Sequence, residues 1–170
     1  MRIHTRLSPG LLALALLGAG SSAWAHGPQS HHSAAPLKKE QQVFGIAGDA
    51  AKVSRTVTIT MGDDMRFKPD HIQVREGETL RLRIRNHGKL MHELVIGTPD
   101  ELDAHAKLME KFPDMEHEEA HMAHVPPGGS GDIIWRFNRA GQFDFACLIA
   151  GHFQAGMRGR ITVTPRSSKP

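Results

Sequence analysis

The chain holds a single cysteine, Cys147, followed by His152 and Met157 in the spacing C-x4-H-x4-M. A thiolate, an imidazole and a thioether so close together are soft donors, which select copper over hard cations. Two imidazoles and one thiolate in a trigonal set, with a distant axial methionine, is the ligand set of electron-transfer copper. One imidazole is missing from this loop and must come from elsewhere. The best candidate is His92, where a loop turns into an apolar run (Met91-His92-Glu93-Leu94-Val95). His87 competes with it from the turn side of Gly88. Gly151 and Gly156 stand immediately before His152 and Met157 and let the backbone turn sharply enough for three side chains to converge.

The flanking elements must then hold these groups. Phe143, Phe145 and Cys147 alternate with Asp144 and Ala146, so the thiol shares the inner face of a strand with two aromatic rings. Similar alternation runs through Val57, Ile59 and Met61, through Ile72 and Val74, and through Leu80, Leu82 and Ile84. It returns at Ile133, Trp135 and Phe137, and finally at Ile161 and Val163. A period of two marks strands with one buried and one wet face. Glu76-Gly77-Glu78, Gly128-Gly129 and Gly141 punctuate them. The expected fold is all-β, a Greek-key β-sandwich.

Residues 98–130 interrupt this pattern with a long connection, of the kind that is usually structured or functional. Thr98-Pro99-Asp100-Glu101 reads as a capping box with proline in the first helical turn, and Leu102, Ala106 and Met109 fall on one face. Pro113 ends that helix, and Asp114 is expected to cap a second over residues 115–123. The insertion is therefore expected to be helical and rich in His and Met.

His117-Glu118-Glu119-Ala120-His121 matches H-E-x-x-H, which on a helix places two imidazoles one turn apart as in zinc proteases. Without a cleft and a supporting scaffold the motif is weak evidence for a hydrolase. Two milder readings stand beside it. In one, Met115, His117, His121, Met122 and His124 attract metal, thioether suiting Cu(I) and imidazole suiting Cu(II) or zinc. In the other they only cover the sandwich on a solvated helix.

Composition narrows the rest. Twelve His and eight Met accompany the single Cys, Tyr is absent, and the formal charge is +3. No basic run with interleaved aromatics appears, which sets nucleic-acid binding aside. Residues 1–25 read as a secretory signal: Arg2 and Arg6, a short apolar stretch over residues 11–19, then Ala23-Trp24-Ala25. Export to the periplasm with no membrane span after cleavage follows. The new N-terminus would be His26, whose amine and imidazole make a possible chelate. Residues 26–42 read as a flexible His-containing arm, with His31 and His32 also in it, residues 43–165 as the domain, and residues 166–170 as a tail. A lone Cys in an oxidising compartment cannot form an internal disulfide, and metal ligation gives it a reason to exist.

The early His, the F-x-C strand and the Cys-His-Met loop resemble the cupredoxins in order and separation. The loop spacing looks like that of auracyanin and rusticyanin, and the export signal and His-Glu dipeptide resemble the periplasmic copper-tolerance members. The resemblance implies a cupredoxin-like sandwich, one type-1 copper held by His92, Cys147, His152 and Met157, and no enzymatic activity. It implies a role in copper tolerance with one-electron transfer, or alternatively a dedicated electron carrier. The partner would be a redox protein or a Cu(I) donor or acceptor, with the His152 edge as the electron port. One position departs. Many relatives carry Asn after the first ligand His, where this chain has Glu93, so its immediate surroundings of the metal differ from theirs.

Overall fold

The computed structural model describes residues 39–113, 115 and 118–167, all within one unit spanning Ala34–Pro170. The export segment, His26, His31, His32, Asp114 and His117 lie outside the described residues.

The alternating runs form strands in two five-stranded sheets. The first contains β1 (Ile46–Ala47), β2 (Arg55–Gly62), β3 (Arg66–Lys68), β5 (Thr79–Asn86) and β8 (Ser130–Arg136), in the order β1-β8-β5-β2-β3. The second contains β4 (His71–Arg75), β6 (His92–Gly97), β7 (Met122–Val125), β9 (Gly141–Ala146) and β10 (Arg158–Thr164), in the order β4-β10-β9-β6-β7. Parallel pairs β2–β5 and β4–β10 join chain segments distant in sequence, while β5–β8, β6–β9 and β9–β10 are antiparallel.

Inward residues of both sheets make one core: Ile59 and Met61, Leu80, Leu82 and Ile84, Ile133 and Trp135, Phe143 and Phe145, Ile161 and Val163. Period-two alternation places them there, because successive side chains of a strand point to opposite faces. The residues between them, such as Thr58, Arg83 and Asp132, face outward, where Arg81 and Arg83 pair with Asp132.

Strand β6 breaks the alternation, being buried at every position. Its reason is the insertion. Leu94 and Ile96 enter the sandwich core, whereas Val95 faces out beneath helix α1 (Pro99–Lys111). There Leu102, Ala106 and Met109 of α1 pack with Val95, Met122, Ala146, Leu148 and Phe153 in a second apolar cluster. The helix begins as expected: the Thr98 hydroxyl accepts from Glu101 N, and the Glu101 carboxylate accepts from Thr98 N at 2.9 Å. It ends at Lys111, before Pro113.

The expected second helix over residues 115–123 does not form. Met115, Glu118 and Glu119 have irregular backbone, Ala120 and His121 make a turn, and Met122 already belongs to β7. The open edge of β6 decides this. It offers backbone partners to residues 122–125 in register His92↔Val125, Glu93↔His124, Leu94↔Ala123 and Val95↔Met122, and a ladder on a buried strand outweighs local helical propensity. Among the described residues no helix is long and apolar enough to cross a membrane.

Candidate metal centre

The site lies at one end of the sandwich, where β6 begins and β9 ends. Cys147 follows Ala146 out of β9, fully buried and in the same core as Phe143 and Phe145. The segment after it folds back on itself before leaving as β10. Cys147 N donates to Met157 O at 3.1 Å, Met157 N to His152 O at 3.1 Å, and His152 N to Ile149 O at 2.9 Å. Gly151 and Gly156 adopt φ of 88° and 87°, a left-handed backbone that favours glycine. Arg66 of the opposite sheet donates to Ala155 O at 2.9 Å, and the Arg158 guanidinium lies 3.6 Å over the Phe153 ring. The loop is thus held in shape by the protein's own contacts.

His92, Cys147 and His152 each bring one ligand atom to within 4.8 Å of the others, the one such cluster of three among the described residues. Cys147 Sγ lies 3.3 Å from His152 Nδ1, and the two imidazole centroids are 4.8 Å apart. His92 is fully buried, and its Nε2 meets Asp63 Oδ1 at 3.2 Å. A carboxylate is an acceptor only, so this bond puts the proton on Nε2 and leaves a lone pair on Nδ1. That Nδ1 is buried and has no hydrogen-bond partner. Buried polar atoms are nearly always paired, so an orphan beside a thiol and a second imidazole fits a metal-binding atom. Met157 is fully buried and belongs to the same core as Cys147.

Burial sets the electrostatics. It pushes the Cys147 thiol up to about 12, helped by the nearby Glu93 charge and opposed by the Glu93 backbone N–H. Burial, and then the neighbouring His92, hold the His152 imidazole below its ordinary range, so at neutral pH it offers a lone pair. Asp63 is held below the usual carboxylate range chiefly by its hydrogen bond from Lys89 N.

Two supporting residues escape sequence reasoning. Asp63 accepts from Lys89 N at 2.8 Å and from Leu90 N at 3.2 Å, so it anchors the loop ahead of His92 as well as the ring itself. Asn86, buried at the end of β5, donates to Leu90 O at 2.8 Å and Val125 O at 2.9 Å and accepts from Gly88 N at 2.8 Å. Nothing in the sequence separates Asp63 from its neighbour Asp64, which pairs instead with Lys68. Asn86 does stand at the end of an alternating run, the one available signal.

Glu93 takes over the tie between the two ligand segments. Its Oε1 accepts from Leu148 N at 2.8 Å, and its own N–H points at Cys147 Sγ at 3.5 Å. Its Oε2, fully buried, lies 2.9 Å from His124 Nε2, an ion-pair distance without hydrogen-bond alignment. His87 is exposed and lies outside the cluster, although it lines a shallow pocket with Asp63 and Asp64.

The members of the second His/Met group that the structure describes have separate surroundings. Met122 is buried under α1, His124 turns to Glu93, and Met115 is exposed. His121 packs edge-on against Phe44 and Trp135. Among the described residues of H-E-x-x-H, Glu118 and Glu119 have irregular backbone and Ala120 and His121 lie in a turn, so the helix the motif requires does not run through them.

A profile of the cupredoxin-like domain matches residues 31–163. A copper-resistant cuproprotein, CopI, of Rubrivivax gelatinosus is 45% identical over 92% of this chain and 96% of that protein. Its namesake in Pseudomonas aeruginosa is 35% identical over 73% and 84%. Among solved structures, reduced auracyanin from Roseiflexus castenholzii superposes with a TM-score of 0.58 at 22% identity, covering 66% of this chain and 99% of that one, a likeness of fold. Auracyanin B does so with a TM-score of 0.60 at 21% identity, covering 71% and 96%. By profile, by close relatives and by fold, this chain belongs to the cupredoxin-like family, and together with the His92, Cys147 and His152 cluster this supports a single copper site.

Proposed function

We propose that this protein is an exported, periplasmic copper-tolerance protein in which His92, Cys147, His152 and Met157 would hold one type-1 copper. The observation that carries the reading is the buried, unpartnered Nδ1 of His92 beside Cys147 Sγ and His152 Nδ1. Copper in such a donor set supplies one-electron exchange between Cu(I) and Cu(II). The chain's own contribution is rigidity. Asp63 holds the His92 ring, Glu93 holds Leu148 beside the thiol, and backbone bonds hold Met157 to Cys147 and His152. A site that does not rearrange between oxidation states exchanges electrons readily, and outer partners of this kind orient the ligands.

His92, Cys147 and Met157 are sealed from solvent, whereas His152 is half-buried. The His152 edge is therefore the route for electrons to and from a redox partner or Cu(I) donor. The tolerance role draws on the CopI relatives, and export on the hydrophobic stretch and A-x-A pattern before His26.

Purified protein loaded with one equivalent of Cu(II) is expected to show an intense thiolate-to-copper band in the visible spectrum, absent in Cys147→Ser. A colourless wild type refutes the site. Deletion of the gene is expected to impair growth in copper, with rescue by the wild type and not by Cys147→Ser. Unimpaired growth would favour a dedicated electron carrier.

A further inference from the structure

The His92 ring is sealed from solvent, yet its outer nitrogen, Nε2, meets a carboxylate, Asp63 Oδ1, at 3.2 Å. That carboxylate occupies a seat shaped for it. Oδ1 also lies 3.1 Å from Lys89 N and 3.2 Å from Leu90 N, and Oδ2 accepts from Lys89 N at 2.8 Å. Gly88 clears the space, since a Cβ there would collide with the Asp63 carboxylate. The next residue, Asp64, turns the other way and pairs with Lys68 at 3.0 Å. Two adjacent aspartates thus carry the same charge, and one of them is bonded to a ligand ring.

A negative charge on the outer nitrogen does more than fix the ring. It draws on the Nε2 proton and makes the imidazole more basic, so Nδ1 becomes a stronger donor to a metal. A stronger and more anionic donor favours the higher charge of Cu(II) over Cu(I). The Asp63 side chain is 38% exposed, so water screens its field through space. The hydrogen bond into a fully buried ring is not screened in that way. A neutral amide in the same seat would hold the ring and supply none of the charge.

We propose that Asp63 sets the oxidation-state preference of the copper centre. Acting through His92, it draws the site towards Cu(II) and lowers the reduction potential below what the same ligands give without it. The inference rests on the reading of His92, Cys147, His152 and Met157 as one type-1 site. Asp63 is a tuning residue that touches a ligand and not the metal. Its charge makes the reduced centre a better electron donor.

The test separates charge from geometry. Asp63→Asn removes the charge and keeps an oxygen for the ring, Asp63→Ser is a second neutral acceptor, and Asp64→Asn removes the adjacent charge. Cu(II) and Cu(I) affinities are measured separately by chelator competition, and the potential by redox titration of the visible band. Asp63→Asn is expected to lose roughly tenfold in Cu(II) affinity and under about threefold in Cu(I) affinity, so its potential rises. Asp64→Asn should change either affinity by no more than about twofold. In copper-free protein, the His92 Nε2 proton should resonate far downfield by NMR and move upfield in Asp63→Asn, which reports the bond without metal. Equal losses for the two oxidation states in both Asp63 variants, an unchanged potential, or an equal rise in Asp64→Asn overturns the proposal. Loss of Cu(II) binding with Cu(I) binding retained supports it, and loss of both in Asp63→Asn and Asp63→Ser overturns it. A wild type that binds copper without the visible band fails the type-1 reading, while the ratio of the two affinities still scores Asp63.

Discussion

Replacement of His124 by alanine is expected to destabilise the copper-free protein far more than its position suggests. The His124 side chain is 38% exposed, and substitution at such a surface position usually changes stability by no more than about 0.5 kcal/mol. Its partner, however, is the fully buried Oε2 of Glu93, 2.9 Å away. Removing His124 takes the imidazole from beside a buried carboxylate oxygen that has no hydrogen-bond partner, and leaving such a group with no polar contact at all costs roughly 1–3 kcal/mol, more when charged. The reverse truncation has a different origin. Glu93→Ala leaves no buried carboxylate behind, but it orphans Leu148 N and removes one buried methylene. Those terms amount to roughly 1–3 and about 0.8 kcal/mol. Glu93→Gln keeps an acceptor for Leu148 and should cost about 1 kcal/mol or less. The assay is urea unfolding of copper-free protein followed by the fluorescence of buried Trp135, with His124→Ala also measured in the Glu93→Gln background. The expected coupling exceeds about 1 kcal/mol, because the neutral amide tolerates loss of the imidazole better than the carboxylate does. A His124→Ala cost under about 0.5 kcal/mol, equal in both backgrounds, would show that the pair behaves as an ordinary surface contact and would refute this reasoning.

Four further outcomes follow from the structure. Asp63→Ala should weaken copper binding roughly 10–100-fold in chelator competition, since it frees the His92 ring and the Lys89–Leu90 backbone together; unchanged affinity would remove Asp63 from the site's support. The Cys147 thiol is raised from 9.0 to about 12 in the folded protein, so folding favours its protonated form. Stability from this group is complete below pH 9 and is lost as pH rises towards 12, and Cys147→Ala should flatten that alkaline decline in copper-free protein. Because the bound form is the thiolate, Cu(II) uptake at pH 7 should release about one proton, detectable in a weakly buffered indicator solution. Leu102→Ala should cost roughly 2–4 kcal/mol in urea unfolding, as Leu102 fills the cluster between α1 and the outer face of β6 and β9.

Much of this protein is written in local pattern. Alternation of apolar residues placed the strands, because side chains of a strand change face at every residue, and the same rule put Cys147 on the inner face with Phe143 and Phe145. The Thr98–Glu101 capping box placed the start of α1, and Pro113 its end, since both act through bonds within one helical turn. The C-x4-H-x4-M spacing identified the loop, because its donors and its two positive-φ glycines all lie in one short segment. Long-range partners decided the rest. Whether residues 122–125 become helix or strand depends on the open edge of β6, which no local window contains. The choice of His92 over His87 depends on Asp63, which lies 29 residues before His92 and looks like any turn aspartate until β2 and β5 bring it beside the ring. Glu93 reads as a departure from the family until Leu148 is seen donating to it. The sequence by itself determined the donors and the strands that carry them. The tertiary structure decided which imidazole faces the thiol and what holds it there, because those contacts join residues far apart along the chain.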